Sequence, residues 1–214
     1  MVDYNEKMIV AKAKLLERFK EQGPRQVDAE RERLPPGQHL TKGFPVLDLG
    51  VKPKFNPERW RFKVEGAVEE SLDLSWEEFA ELPRASQISD FHCVTTWSKF
   101  DVEWDGVKFI DLASMVRPSA EAHFIVAHGF DGYTTNLPLV DCLAEDVILA
   151  DRLYGNLLPI EHGGPMRLIV PSLYAWKSAK FLSKLVFVAE DQPGFWEQRG
   201  YHDRGDPWNE ERYG

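Results

Sequence analysis

The chain has 214 residues, enough for one large domain or two small ones with a real core, and its formal net charge is −9. The balance of 26 Lys and Arg against 35 Asp and Glu argues against a general nucleic-acid or anionic-membrane surface, which needs a basic face. Two cysteines, Cys93 and Cys142, are too few for a disulfide scaffold.

The opening stretch MVDYNEKMIVAKAKLLERFKEQG has no apolar signal core and no twin arginine, and no run of the chain is long and apolar enough to span a bilayer. A cytoplasmic protein with reduced thiols is expected. Met8, Ile9, Ala11, Leu15, Leu16 and Phe19 recur at helical spacing until Gly23–Pro24 ends the pattern, predicting an N-terminal helical arm over residues 1–34. Residues 35–214 then form one body. It begins with a Pro- and Gly-dense irregular crossing, RERLPPGQHLTKGFPVLDLGVKPKFNP.

Strand signals take over at WRFKVEGAV, where Trp60, Phe62 and Val64 share one face of a period-two pattern. In SLDLSWEEFAELP, Ser75 is placed to cap a helix with Glu78 as its capping-box partner. QISDFHCV reads as a strand, FIDLASMV as a short helix, and HFIVAHGFDGYTTNLPL as a hairpin. VILADRL, MRLIVPS and KFLSKLVFVAE supply further strands. The polar end of the chain still carries Phe195, Trp196, Tyr201, Trp208 and Tyr213, and disordered tails are poor in aromatics, so it should fold back on the body. No βαβ rhythm is visible. The expected class is α+β, a β-rich mixed-sheet core with few helices.

Cys93 lies in SDFHCVTTWSKF, and its residues alone leave four fates open: an inert buried thiol, a nucleophile, half of a disulfide, or a metal ligand. His92 should face the other way if the run is a strand. A structural zinc site lacks the Cys-x-x-Cys and the close histidine pair it needs. In EHGGPMRLIVPSLYAWKSAKFLSKL, the turn His162–Pro165, Arg167 and the cluster Lys177, Ser178, Lys180 combine small residues, a hydroxyl and cations, a set suited to an oxyanion or phosphate. The spacing matches neither a Walker loop nor a dinucleotide fingerprint. Cys142 reads as structural.

Taken together, CVTTWSKFDVEWDGV, EHGGPMRLIVPSLYAWKSAKFL and GFWEQRGYHDRGD resemble the molybdenum-cofactor domain of the sulfite oxidase family, and its short stand-alone branch most of all. The resemblance runs from about residue 35 to the C-terminus. It implies the sulfite-oxidase-type molybdopterin-binding fold for residues 35–214, and molybdenum carried by one molybdopterin. By the same resemblance Cys93 is the metal's thiolate ligand, a soft donor suited to such a centre. His162, Arg167, Lys177, Ser178, Ala179 and Lys180 would hold the pterin and its phosphate, with Lys42, Phe44, Pro45, Val46 and His128 as further cofactor contacts. Tyr201 and Trp104 would line the approach to the metal as catalytic residues.

The family's sulfite-oxidising members follow the metal cysteine with an arginine-rich run, where this chain has Val94, Thr95, Thr96, Trp97 and Ser98. The expected activity is therefore oxygen-atom transfer on a small-molecule oxo donor or acceptor, with reduction of an S-oxide or N-oxide favoured over oxidation of sulfite. A separate electron-transfer partner is implied. The competing readings are a molybdopterin-binding or storage protein without turnover, and a cysteine hydrolase.

Overall fold

The computed structural model describes residues 6, 7, 9, 10, 13, 14 and 33–214. The six described residues before Arg33 are helical, and Ile9 packs against the core; the rest of the expected arm lies outside the described residues.

Two sheets form the body. One runs β1 (His39–Leu40), β5 (Trp97–Lys108), β8 (Ile148–Leu153), β10 (Arg167–Ile169), with β4 (Ala85–His92) paired to β5 and β9 (Asn156–Leu157) to β8. The other runs β3 (Leu72–Ser75), β2 (Arg61–Gly66), β11 (Leu182–Val188), β6 (Phe124–Gly129), β7 (Thr134–Pro138). Pairing is mixed: β1 with β5 and β2 with β11 are parallel, and the other pairs are antiparallel. Helices are short: α1 (Trp76–Ala80), α2 (Phe109–Val116) and α3 (Leu139–Cys142). The α+β, β-rich expectation holds.

Local chemistry explains the elements. Phe62 and Val64 alternate inward on β2 and are fully buried, with Trp60 beside them. Ser75 caps α1 by accepting from the Glu78 N–H, while the Glu78 carboxylate accepts from the Ser75 N–H, closing the expected capping box. Leu112, Ala113 and Val116 turn one face of α2 into the core. The 12-residue strand β5 is the element the pattern hid. Its aromatic and charged residues obscure alternation, and a bulge between Asp105 and Gly106 breaks the register against β8. The chain's end folds back as expected, burying Phe195, Trp196 and Tyr201, although Trp208 stays 48% exposed. No helix among the described residues is long and apolar enough to cross a membrane.

Candidate cofactor cleft

Strand β4 runs into β5 through a tight turn at Cys93–Thr96. The Cys93 N–H donates to the Trp97 carbonyl at 2.9 Å, and the Thr96 N–H donates to the Cys93 carbonyl at 3.0 Å. Closing this turn puts Thr96 at φ 73°, a left-handed conformation that costs a β-branched residue on the order of 1–3 kcal/mol and persists only when neighbours enforce it. Three neighbours do so. Gln38 Nε2 donates to the Cys93 carbonyl (3.1 Å), the His39 N–H donates to the Thr96 carbonyl (2.9 Å), and Arg212 Nη1 donates to the Val94 carbonyl (2.7 Å). His92 faces away, as strand alternation requires. Its Nδ1 meets Ser98 Oγ at 2.8 Å, and burial pushes its pKa down to about 4.

The Cys93 side chain lies in a cleft of about 700 Å³, open mouth included. The facing wall comes from the short 3-10 turn Ile160–His162, strand β10 and the segment that follows it. Gly163 sits at φ 106°, and a Cβ there would come within 2.9 Å of the Lys180 side chain, so only glycine lets that lysine lie across the turn. Phe44 and Pro45 close one side, with the Phe44 ring stacked on His162 at 4.4 Å.

Arg167 is the electrostatic centre of the cleft. It is 3% exposed, with Nη1 donating to the His162 carbonyl (2.8 Å) and Nη2 to the Ser178 carbonyl (2.9 Å). Its Nε has no hydrogen-bond partner among the described residues, and the guanidinium lies over the faces of Phe91 and Trp104. Burial pushes its pKa down to about 9, partly opposed by Cys93, so the group remains a cation at neutral pH. A buried charge with no carboxylate beside it is costly and calls for an anion.

The residues fit a molybdopterin. Cys93 is the one soft donor among the residues lining the cleft, and no group of three or more His, Cys, Asp or Glu able to hold a metal ion exists among the described residues. That donor set suits a metal which arrives with its remaining ligands. The half-paired guanidinium of Arg167 next to the thiol supplies the positive field that thiolate and dithiolene sulfurs need.

Of the residues expected from sequence, Phe44, Pro45, Cys93, His162, Arg167, Ser178 and Lys180 line the cleft. Seven do not. Lys42 and Val46 are exposed on the outside of their loop. His128 lies on β6, where it pairs with Thr134 and Lys184, and its carbonyl accepts from Ser183 Oγ. Lys177 points away from its neighbour Ser178, and its ammonium is fully buried against Glu197 Oε1 (2.7 Å), Asn136 and the Asp203 carbonyl. Ala179 is buried and offers its carbonyl to Leu168. Trp104 is fully buried in contact with Phe44 and Phe91, with Arg167 over its ring. Tyr201 packs against Trp176 and Trp196, which line the cleft where it does not. Burial, then the charge of Cys93, holds its phenol well above the usual range.

Two acids join the cleft that no sequence motif pointed to. Asp131, in the β6–β7 turn, lines the cleft three residues after His128, and burial pushes its pKa up to about 6. Asp48 Oδ1 accepts from the Gly50 N–H, while its buried Oδ2 lies 3.9 Å from Lys180 Nζ and makes no hydrogen bond among the described residues. Short turns flanked by glycine, GFDGY and VLDLG, were the available signal.

Fold and cleft together define a cofactor-binding oxidoreductase domain in which one cysteine faces a buried guanidinium. Comparison with known proteins makes the family specific. The family described as "Oxidoreductase molybdopterin binding domain" matches residues 49–196. The uncharacterized oxidoreductase YuiH of Bacillus subtilis is 44% identical over 182 residues, 85% of this chain and 92% of that protein. The protein-methionine-sulfoxide reductase catalytic subunit MsrP of Campylobacter jejuni is 32% identical over 70% of this chain, which spans 56% of that relative's length. The crystal structure of the sulfane dehydrogenase SoxCD from Paracoccus pantotrophus superposes with a TM-score of 0.62 at 20% identity, over 68% of this chain and 42% of that one, a likeness of fold. The chain belongs to the oxidoreductase molybdopterin-binding domain family. It is a molybdopterin-dependent oxidoreductase of the sulfite-oxidase-like type, and its cofactor is molybdenum carried by a molybdopterin.

Proposed function

We propose that this enzyme removes oxygen from a neutral S-oxide or N-oxide faster than it oxidises sulfite. The observation that carries the reading is the fate of the arginines near the cleft. Arg167 is committed to the cofactor site. Arg199 donates to the Phe195 carbonyl and lies over the Phe195 ring at 3.8 Å, while Arg204 forms a two-pronged ion pair with Asp141. Neither lends charge to a sulfite dianion, whose lost hydration demands such charge. Around Cys93 the cleft offers Val94, Trp97, Trp176 and Trp196, a wall suited to an uncharged ligand. The methionine-sulfoxide reductase activity named for the MsrP relative supports the same direction.

When bound, the molybdenum centre supplies two-electron oxo-transfer chemistry. In this reading the Cys93 thiolate holds the metal, and Arg167, His162, Ser178 and Lys180 hold the pterin and its phosphate. The aromatic wall excludes water and orients the substrate. Reducing an S-oxide consumes two electrons and two protons and releases a thioether and water, so a separate electron-transfer partner belongs to the proposal, as does a cytoplasmic location. The resident-cofactor alternative, storage without turnover, predicts full molybdenum content and no oxo transfer. The hydrolase alternative fares worse: Cys93 Sγ meets Thr95 Oγ1, and His162 is stacked on Phe44.

Steady-state assays with artificial electron donors and acceptors test the proposal. Higher kcat/KM for methionine sulfoxide, dimethyl sulfoxide or trimethylamine N-oxide than for sulfite is expected. Efficient sulfite oxidation with inert S-oxides and N-oxides would overturn it.

A further inference from the structure

The turn that carries Cys93 also carries a hydroxyl that reaches back to it. Thr95 Oγ1 lies 3.1 Å from Cys93 Sγ, well inside hydrogen-bond range for sulfur. In the free thiol either atom can donate. A thiolate has no proton to give, so once Cys93 is ionised the hydroxyl must be the donor, and the contact becomes charge-assisted. The geometry is built in. The Cys93 carbonyl takes Gln38 Nε2 and the Thr96 N–H, and the Val94 carbonyl takes Arg212 Nη1, so the peptide on either side of Val94 is fixed and Thr95 is held over the sulfur.

We infer that Thr95 is a positioning residue which tunes the metal centre through a hydrogen bond to the Cys93 sulfur, an inference resting on the reading of Cys93 as the metal ligand. A hydrogen bond withdraws electron density from a thiolate. Less donation from sulfur to metal destabilises the oxidised state more than the reduced one, raising the reduction potential, and it moves the sulfur-to-metal charge-transfer absorption to higher energy. A centre that must deliver electrons to an S-oxide is thereby set by one side chain of this turn.

The test uses cofactor-loaded protein with Thr95→Val, Thr95→Ala and Thr95→Ser, measured by optical spectroscopy and by potentiometric titration of the Mo(V) EPR signal. Val and Ala should both move the charge-transfer band to lower energy and lower the potentials, while Ser, which keeps the hydroxyl and loses only the methyl, should match the parent. A parent-like Val or Ala, or a Ser variant shifted with them, would overturn the inference, since packing alone would then explain the turn. Cys93→Ser separates the two levels. If it removes the band while Thr95→Val leaves the band in place, the hydrogen-bond inference fails alone; if the band survives Cys93→Ser, the ligand reading fails and this inference with it.

Discussion

Lys177 and Arg167 are both buried cations, ten residues apart in sequence, and the protein treats them in opposite ways. Lys177 is closed on all sides. Glu197 balances its charge, and Asn136 and the Asp203 carbonyl accept its remaining protons, while Glu197 is held in turn by Trp176 Nε1 and Thr135 Oγ1. Arg167 has two carbonyls, two aromatic faces and, among the described residues, no acid paired with it, and it borders an open cleft. A compensated buried charge fastens the C-terminal segment to the body. An uncompensated one beside an open cleft is what the proposed anion site would use.

The sharpest way to break that comparison is at the cleft's sulfur. Cys93→Ser should abolish turnover and the cysteine-to-metal part of the absorption, with the fold and the pterin contacts intact. An active variant with an unchanged molybdenum spectrum would remove Cys93 from the site.

On the closed side, Lys177→Met leaves the buried Glu197 carboxyl without its partner, and breaking a buried pair costs roughly 3–5 kcal/mol. Chemical denaturation should show that loss, and Lys177→Met/Glu197→Leu should recover much of it. A neutral single variant would mean the network is not what fastens the wrap.

Asp131 tests the open side by pH. Burial pushes its pKa up to about 6, above the ordinary carboxylate value, so between about pH 4 and 6 the folded protein keeps a proton that the unfolded chain releases. The contribution of Asp131 to the stability of the cofactor-free protein should therefore fall as pH rises through that window, by on the order of 2–3 kcal/mol, while buried His92, held down to about 4, contributes in the opposite direction. Asp131→Asn should remove this dependence. Denaturant titrations at about pH 4 and about pH 7 read it as the difference in stability between parent and variant, and a difference equal at both ends would contradict it.

Arg167→Met should weaken cofactor binding about ten- to a hundredfold, the scale of a charge-assisted contact worth roughly 1.5–3 kcal/mol. The cofactor-free protein should be no less stable, because an unpaired buried charge has been removed. Molybdenum content after purification and the melting temperature read the two effects separately. Equal losses from Arg167→Met and Lys177→Met in both readouts would erase the distinction between them.

The smallest effect is expected at Tyr201, which packs behind Trp176 and Trp196. Tyr201→Phe should leave kcat close to the parent's, because Trp176 and Trp196, and not the phenol, line the cleft. A loss of about 10² or more, as general acids give, would return its hydroxyl to the reaction itself.

The same contrast explains what was legible in the sequence. Strands and helices are readable because they obey short periodicities: Phe62 and Val64 alternate, and Ser75 with Glu78 closes a capping box. Cys93, Arg167 and His162 come from motif resemblance and share the cleft. The misses are matters of direction. Ser178 faces the cleft and Lys177 the core because the segment between Pro171 and Leu182 is irregular, and only its partners decide which way each side chain turns. His128 stands out over Asp131 in the sequence because it ends a strand pattern, whereas the turn that follows delivers the acid. β5 is hidden because its aromatic and charged residues obscure the alternation, and because an extra residue near Asp101, at φ 54°, breaks its own register against β4.

The bond from Arg212 to the Val94 carbonyl joins residues 118 apart in sequence. Contacts of such separation form only after the intervening chain has been made and collapsed, because closing a long loop costs entropy before it gives any contact. The turn around Cys93 therefore depends on docking of the C-terminal segment. A substitution at Arg212 is thus expected to loosen the turn that carries Cys93 while leaving most of the core in place, so the two ends of the molecule report on each other.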